Sequence, residues 1–171
     1  MILVLFIISI LFANQNDDLQ TARQTYYKAT ENEDFLESAI NDFQNISKKY
    51  SDKKPLSMIY IGSMKALKAK YAFWPNDKLK FANEGIDILD NWIDKNQNDI
   101  EALFIYGTTY YYMPFFFNKS AEAEKALKRI LELESYYSQV DQKLLKNALK
   151  FISDNLDLNS KEKQKIKKYL N

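Results

Sequence analysis

The stretch LKFANEGIDIL, residues 79–89, places apolar or small side chains at Leu79, Ala82, Ile86 and Leu89. These offsets of 3, 4 and 3 residues put the four side chains on one face of an α-helix. The same spacing occurs in two further sets, which are Leu36, Ala39, Phe43 and Ile46, and Ala123, Ala126, Ile130 and Leu133. The pattern therefore recurs after 43 and 44 residues, a period typical of stacked helical hairpins.

The composition favours an all-α fold and argues against several classes of function. Only three Gly and three Pro occur in 171 residues, which suits long helices with short connections. The net charge of +1 gives no overall field that attracts nucleic acid, and only Arg23 and Arg129 are arginines. Cys and His are absent, which excludes the usual zinc sites and nucleophiles paired with His. We therefore expect no enzyme, no catalytic residues, no metal and no cofactor.

The first residues have the pattern of a secretory signal peptide. The run from Ile2 to Phe12 is apolar except for Ser9, and polar residues follow Ala13. As a helix this run would span roughly 16 Å, about half of a bilayer's hydrocarbon core. We predict a signal peptide over residues 1–13 and an exported mature chain, periplasmic or secreted, that has no integral membrane span. The alternatives are an uncleaved membrane anchor and a buried N-terminal helix.

Capping and proline signals divide the mature chain, residues 14–171, into one domain of helical pairs. The pairs are expected at about residues 18–50, 55–96 and 98–135, with capping helices over about 139–170. The predicted capping residues are Asp34 with Glu37, Asn76, Asn98 with Glu101, Ser120, and Asn159 with Glu162. Pro75 and Pro114 are expected to separate the two helices of the second and third pairs.

Two features of these pairs resemble tetratricopeptide repeats. The spacing of Ala82, Ile86 and Leu89 is similar to that of the second helix of such a repeat, and Ile61-Gly62 and Tyr106-Gly107 look like its large-plus-glycine position. The period here is longer than the standard repeat of about 34 residues. The resemblance implies a right-handed α-α superhelix of about three antiparallel hairpins with C-terminal capping helices. It also implies a protein that binds proteins or peptides, by analogy of fold.

Aromatic residues are concentrated at the bends of the second and third pairs. The candidate partner-binding residues are Phe73, Trp74, Tyr110, Tyr111, Phe115, Phe116 and Phe117. They indicate an aromatic surface for a protein or peptide partner in an envelope-associated assembly. One alternative is that they hold a small apolar ligand or a glycan, and another is that they only pack the ends of the helix pairs. A further alternative is a structural subunit fixed by an uncleaved N-terminus.

Two groups of charged residues are interpreted as solvated surface. Asp87, Asp90 and Asp94 share a helical face, but ligands on a straight helix rarely surround a cation. The last helix carries five lysines, which are Lys161, Lys163, Lys165, Lys167 and Lys168. Because its apolar face is narrow, we predict a soluble capping helix rather than a membrane-binding one.

Overall fold

The computed structural model describes the backbone of residues 2–170 and the side chains of residues 15–170. The backbone forms α1 (Ile2–Glu31), α2 (Leu36–Lys49), α3 (Lys54–Tyr71), α4 (Pro75–Ile93), α5 (Ile100–Tyr111), α6 (Ser120–Glu132), α7 (Gln142–Asn155) and α8 (Ser160–Leu170). Short 3₁₀ turns connect several of them, and no β-strand occurs within residues 2–170. The predicted all-α class is confirmed.

The helices group into two compact units, residues 1–92 and 93–171. In the first unit α1 packs on α2 and α2 packs on α3. In the second unit α5 packs on α6 and α7 packs on α8. The predicted signal peptide, residues 1–13, lies outside the residues whose side chains are described, and its cleavage stays a prediction.

Three aromatic rings form the centre of the first unit. Phe43 of α2 stacks on Tyr60 of α3 with ring centroids 4.1 Å apart, and Tyr26 of α1 meets Tyr60 edge-on at 4.8 Å. All three side chains are buried, and the Tyr26 hydroxyl shares a 3.1 Å hydrogen bond with the Ser63 hydroxyl. Burial raises the pKa of Tyr26 to about 12, so the ring stays neutral in the core.

In the second unit, a glycine lets α5 approach α6 closely, and α8 packs against the turn after α6. A Cβ added at Gly107 of α5 would lie 2.6 Å from Leu127 of α6, so only glycine fits without movement. Ile166 of α8 is buried, and the Tyr169 ring packs edge-on against Tyr137 at 4.9 Å. The last helix therefore packs against the rest of the second unit, and its role as the cap of a helical stack stays a prediction.

The repeated apolar signature lies on α2, α4 and α6, the second helix of each predicted pair, except that Leu133 is one residue past the end of α6. Every member of the first and third sets is buried. In the second set Ala82 and Leu89 are buried and Ile86 is half-buried, but Leu79 is 47% exposed. The prediction that Leu79 belongs to the core is wrong, because the whole start of α4 projects into solvent: residues 73–76 and 78–80 are all exposed.

Several predicted helix caps are displaced by a few residues. Asn32 caps the 3₁₀ turn before α2, in place of Asp34 with Glu37, by accepting a hydrogen bond from the amide of Asp34. The cap of α5 is Asp99, which accepts from the amide of Ala102 at 3.0 Å, and not Asn98 with Glu101.

Two more predicted caps lie inside their helices, because α4 begins at Pro75, one residue before Asn76, and α6 begins at Ser120 itself. The last predicted capping box is confirmed. The Asn159 side chain accepts from the amides of Lys161 and Glu162, and the Glu162 carboxylate accepts from the Asn159 amide at 2.8 Å.

Candidate partner-binding surfaces

The α3–α4 turn, residues 72–74, presents two aromatic rings to solvent. The chain leaves α3 through Ala72, whose backbone is extended, and re-enters a helix at Pro75. Phe73 is 82% exposed and Trp74 is 64% exposed, and their rings meet edge-on with centroids 5.0 Å apart. The turn is too short to fold these rings back onto the helices, so both remain accessible.

The α5–α6 loop, residues 112–118, holds its aromatic rings on a fixed backbone. Pro114 starts a 3₁₀ turn over Phe115–Phe117, in which the amide of Phe117 donates to the Pro114 carbonyl at 3.0 Å. Asn118 ends the turn in the left-handed region, with φ of 52°, a conformation that asparagine tolerates better than most residues. Proline and asparagine together define the path of this loop.

Phe115 is the most accessible ring of the loop at 88% exposed, and Phe116 is 61% exposed. Their centroids are 6.0 Å apart, and Phe116 also contacts the half-buried Phe117 at 4.7 Å. Tyr112, which the sequence prediction left out, is also exposed. It lies just after the last turn of α5, and its distance of two residues from Pro114 is the signal that could have identified it.

The other two predicted tyrosines have different environments. Tyr110 is buried, with its ring 4.4 Å from that of Tyr106, so it is a core residue and offers no free surface. Tyr111 packs edge-on against Phe151 of α7 at 5.2 Å, and its hydroxyl donates to the Asn155 side chain at 3.2 Å. Tyr111 therefore ties the end of α5 to α7, and only part of its ring remains available.

A small surface depression lies beside Tyr111. Its volume is about 250 Å³, and its lining consists of Tyr111, Ser120, Glu124, Asn155, Leu156 and Asp157. Glu124 is paired with Lys128 at 2.7 Å, and this hydrogen bond raises the pKa of Lys128. Five of the six lining residues carry a polar side-chain group, in contrast to the neighbouring exposed phenylalanines.

Two lysines of α8, Lys165 and Lys168, have structural partners. Lys168 and the Tyr169 hydroxyl both donate to the Glu134 carboxylate, at 2.8 and 2.7 Å. These two hydrogen bonds, that of Lys168 first, lower the pKa of Glu134 to about 2. Lys165 donates to the carbonyl of Leu131 at 2.7 Å. Through these contacts, Lys165 and Lys168 attach α8 to the end of α6 and to the turn that follows it.

Other charged and apolar features give no further site. Asp87, Asp90 and Asp94 are exposed, and no cluster of three or more acidic, His or Cys side chains within the described residues could hold a metal ion. No helix in the described part of the chain is both long enough and apolar enough to cross a bilayer.

Comparison of the chain with protein-family profiles, with curated proteins and with solved structures found no match.

Proposed function

We propose that this chain is an exported, non-catalytic helical protein that binds a protein or peptide through its α5–α6 loop. The observation that carries the proposal is the exposure of Phe115 and Phe116 on a turn fixed by Pro114 and Asn118. Adjacent large apolar rings that form an exposed patch mark a candidate interaction site on a protein. Tyr112, on the same loop, adds a ring with a polar hydroxyl, a type enriched at protein interfaces.

The fixed backbone of the loop favours binding energetically. A loop whose backbone already has its bound path loses little backbone entropy when a partner covers its rings. Burial of an aromatic side chain contributes about 1.5–3 kcal/mol, so two phenylalanines could form the centre of a binding hot spot. We infer that Phe115 and Phe116 insert into an apolar depression on the partner.

A macromolecular partner fits this surface better than a small ligand. Ligand pockets typically enclose about 300–1,000 Å³ and are mainly apolar. The depression beside the loop is about 250 Å³ and is not mainly apolar, and Phe115 and Phe116 do not line it. The alternative of an apolar small molecule or a glycan enclosed by the aromatic loops is therefore the weaker proposal.

The arrangement of the helix pairs supports the same class of function. We propose that they form a tetratricopeptide-like array, because the signature occupies the second helix of each of three consecutive pairs. The partner would then belong to an envelope-associated assembly. Export with cleavage after Ala13 is part of this proposal, and N-terminal sequencing of the mature protein would test it by finding Asn14 as the first residue.

The partner is tested by affinity capture from the native envelope fraction with two variants side by side. The test variant is Phe115→Ala with Phe116→Ala, and the matched control is Tyr136→Ala, which removes an exposed aromatic ring elsewhere in the same unit. We expect a protein that is enriched with the wild type and the control to be lost with the test variant, while helical circular dichroism is unchanged. Retention of every partner by the test variant would contradict the proposal.

A further inference from the structure

The α3–α4 turn is the tip of a second exposed surface, which has a different chemistry. Beside Phe73 and Trp74, the misassigned Leu79 adds a third exposed apolar side chain. Exposed lysines flank these three side chains on both helices, namely Lys70 at the end of α3 and Lys78 and Lys80 at the start of α4. We call the six residues the basic aromatic patch.

The lysines of this patch form no ion pairs with described carboxylates, whereas nearby lysines of α3 do. In the helices beneath, Lys68 pairs with Glu37 at 2.5 Å and Lys65 lies 3.6 Å from Glu84. Within the described residues, no carboxylate lies within 4 Å of the amines of Lys70, Lys78 or Lys80. Residues 70–80 contain only one acidic side chain, Asp77, and it is half-buried in the first turn of α4. The patch itself is therefore positively charged.

The amines of two patch lysines lie over aromatic rings next to them in sequence. The Lys70 amine is 5.3 Å from the centre of the Tyr71 ring, and the Lys80 amine is 6.0 Å from that of Phe81. These contacts leave the charges uncompensated, since an aromatic ring carries no net charge. An anionic partner could therefore approach them without breaking an ion pair.

We propose that the basic aromatic patch binds the surface of an anionic lipid bilayer. Trp and Phe partition favourably into the interface between headgroups and acyl chains, and each lysine near an anionic surface adds electrostatic attraction. Phe73 and Trp74 project from the tip of a turn. A fluid bilayer can close around such a tip, whereas a protein partner would need a matching cavity together with acidic groups around it.

The acidic residues at the same end of the first unit determine which side of the patch would face the lipid surface. The Tyr71 hydroxyl donates to the Ala29 carbonyl at 3.4 Å, so the end of α1 lies beside the end of α3. The exposed Glu31, Glu33 and Asp34 follow on that side. Because an anionic surface repels them, we expect the start of α4, with Lys78 and Lys80, to lie closest to the lipid.

This inference is tested with vesicles of phosphatidylcholine alone or with about one third phosphatidylglycerol, and with the full chain carrying Trp92→Phe. Trp74 is then the one tryptophan, so its emission reports directly on the turn. We expect a blue shift and co-sedimentation with anionic vesicles, both reduced by salt, and little response to neutral vesicles. Binding through the apolar N-terminal residues alone would leave the Trp74 emission unchanged and would overturn the inference.

Three variants test separately how the lysine charges and the aromatic rings of the turn contribute to vesicle binding. Lys70→Gln, Lys78→Gln and Lys80→Gln together should weaken binding by about fivefold per lysine, and Phe73→Ser with Trp74→Ser should abolish co-sedimentation through the turn. The matched control, Phe115→Ser with Phe116→Ser, removes equally exposed rings from the other unit and should bind vesicles as the wild type does. Equal binding by the lysine variant would overturn the inference.

The inference goes beyond the proposed function, and the two can fail separately. Vesicle binding depends on the α3–α4 turn, and capture of a protein partner depends on the α5–α6 loop. If the Phe73→Ser, Trp74→Ser variant keeps full vesicle binding but loses the captured protein, the turn is a protein-binding surface and the lipid assignment is wrong.

Discussion

Gly85 is the residue on which the close packing of α3 and α4 depends most directly. A Cβ at this position would lie 2.5 Å from the backbone nitrogen of Ala66 and 2.7 Å from the carbonyl oxygen of Gly62. Both neighbours are backbone atoms, which can move only if the helices separate. The two glycines thus face each other across the helix pair, with no side chain between their backbones.

We expect Gly85→Ala to destabilise the protein by about 1–3 kcal/mol, even though alanine is the better helix former. Gly107→Ala is the matched control, because its new Cβ would meet side-chain atoms of Leu127, which can partly adjust. Urea unfolding followed by circular dichroism measures both. A smaller loss for Gly85→Ala than for Gly107→Ala would contradict the close approach of α3 and α4.

Glu134 makes the attachment of α8 dependent on pH. The hydrogen bonds from Lys168 and Tyr169 lower its pKa from 4.5 to about 2. A lowered folded-state pKa stabilises the fold above the unfolded value, and this contribution is lost as pH falls from about 4.5 towards 2. We therefore expect the stability difference between the wild type and Glu134→Gln to shrink over this range.

The measurement is the urea midpoint of both proteins at several pH values. Glu33→Gln serves as the control, since it removes an exposed carboxylate from the other unit. A difference between the wild type and Glu134→Gln that stays constant down to about pH 2 would show that Glu134 does not hold α8 in this way.

At the scale of the helix, the start of α5 shows how a capping signal can be misread by one residue. Asn98 and Glu101 have the spacing of a capping box, but the Asp99 side chain accepts the hydrogen bond from the Ala102 amide. Asn98 instead accepts from the guanidinium of Arg129 at 3.0 Å. Glu101 is buried, although a capping-box carboxylate at a helix start usually lies at the surface.

We expect Asp99→Ala to cost about 1 kcal/mol of stability, the usual value for loss of an N-cap. Asn98→Ala should cost less, because it removes only an exposed hydrogen bond between side chains. Thermal unfolding of the two variants gives the comparison. If Asn98→Ala were the more damaging change, the cap would lie where the sequence pattern had indicated.

The helices themselves were predictable because their signals are local, and the exact caps were not. Apolar spacing and prolines identify α2, α4 and α6 correctly, since periodicity over many residues outweighs one ambiguous position. Three neighbouring polar residues, such as Asn98, Asp99 and Glu101, offer competing caps, and tertiary contacts decide among them. Leu79 shows the same limit, because its spacing places it on the apolar face of α4 while the start of that helix is exposed.

At the scale of the whole molecule, the sequence predicts where the two aromatic turns lie but does not predict which of their rings are exposed. The sequence indicates rings around Pro75 and Pro114, and the structure exposes Phe73, Trp74, Phe115 and Phe116 there. Tyr110 lies one helical turn earlier and is buried, so it belongs to the core. The separation into two units, residues 1–92 and 93–171, arises from long-range contacts that no local pattern records.

The predicted start of the chain at Asn14 after signal cleavage can be tested through the stability of the fold. The side chain of Gln15 is buried and donates to Asp52 at 2.8 Å, and Asp18 accepts from Lys49 and Tyr50, both at 2.8 Å. These contacts attach α1 to the end of α2 and the turn that follows it, and further along the helix its apolar residues are buried. The described part of α1 is therefore attached to the first unit by these contacts of its own, which do not involve residues 2–13.

We expect a chain that begins at Asn14 to keep its helical circular dichroism and to unfold within about 1 kcal/mol of the full chain. Asp17 and Asp18 would then lie in the first turn of α1, where negative charge is favourable. Leu19→Ala is the control for sensitivity, because loss of this buried side chain should cost about 2–5 kcal/mol. If the shortened chain loses as much stability as Leu19→Ala does, residues 2–13 are part of the folded core, and the predicted signal peptide is wrong.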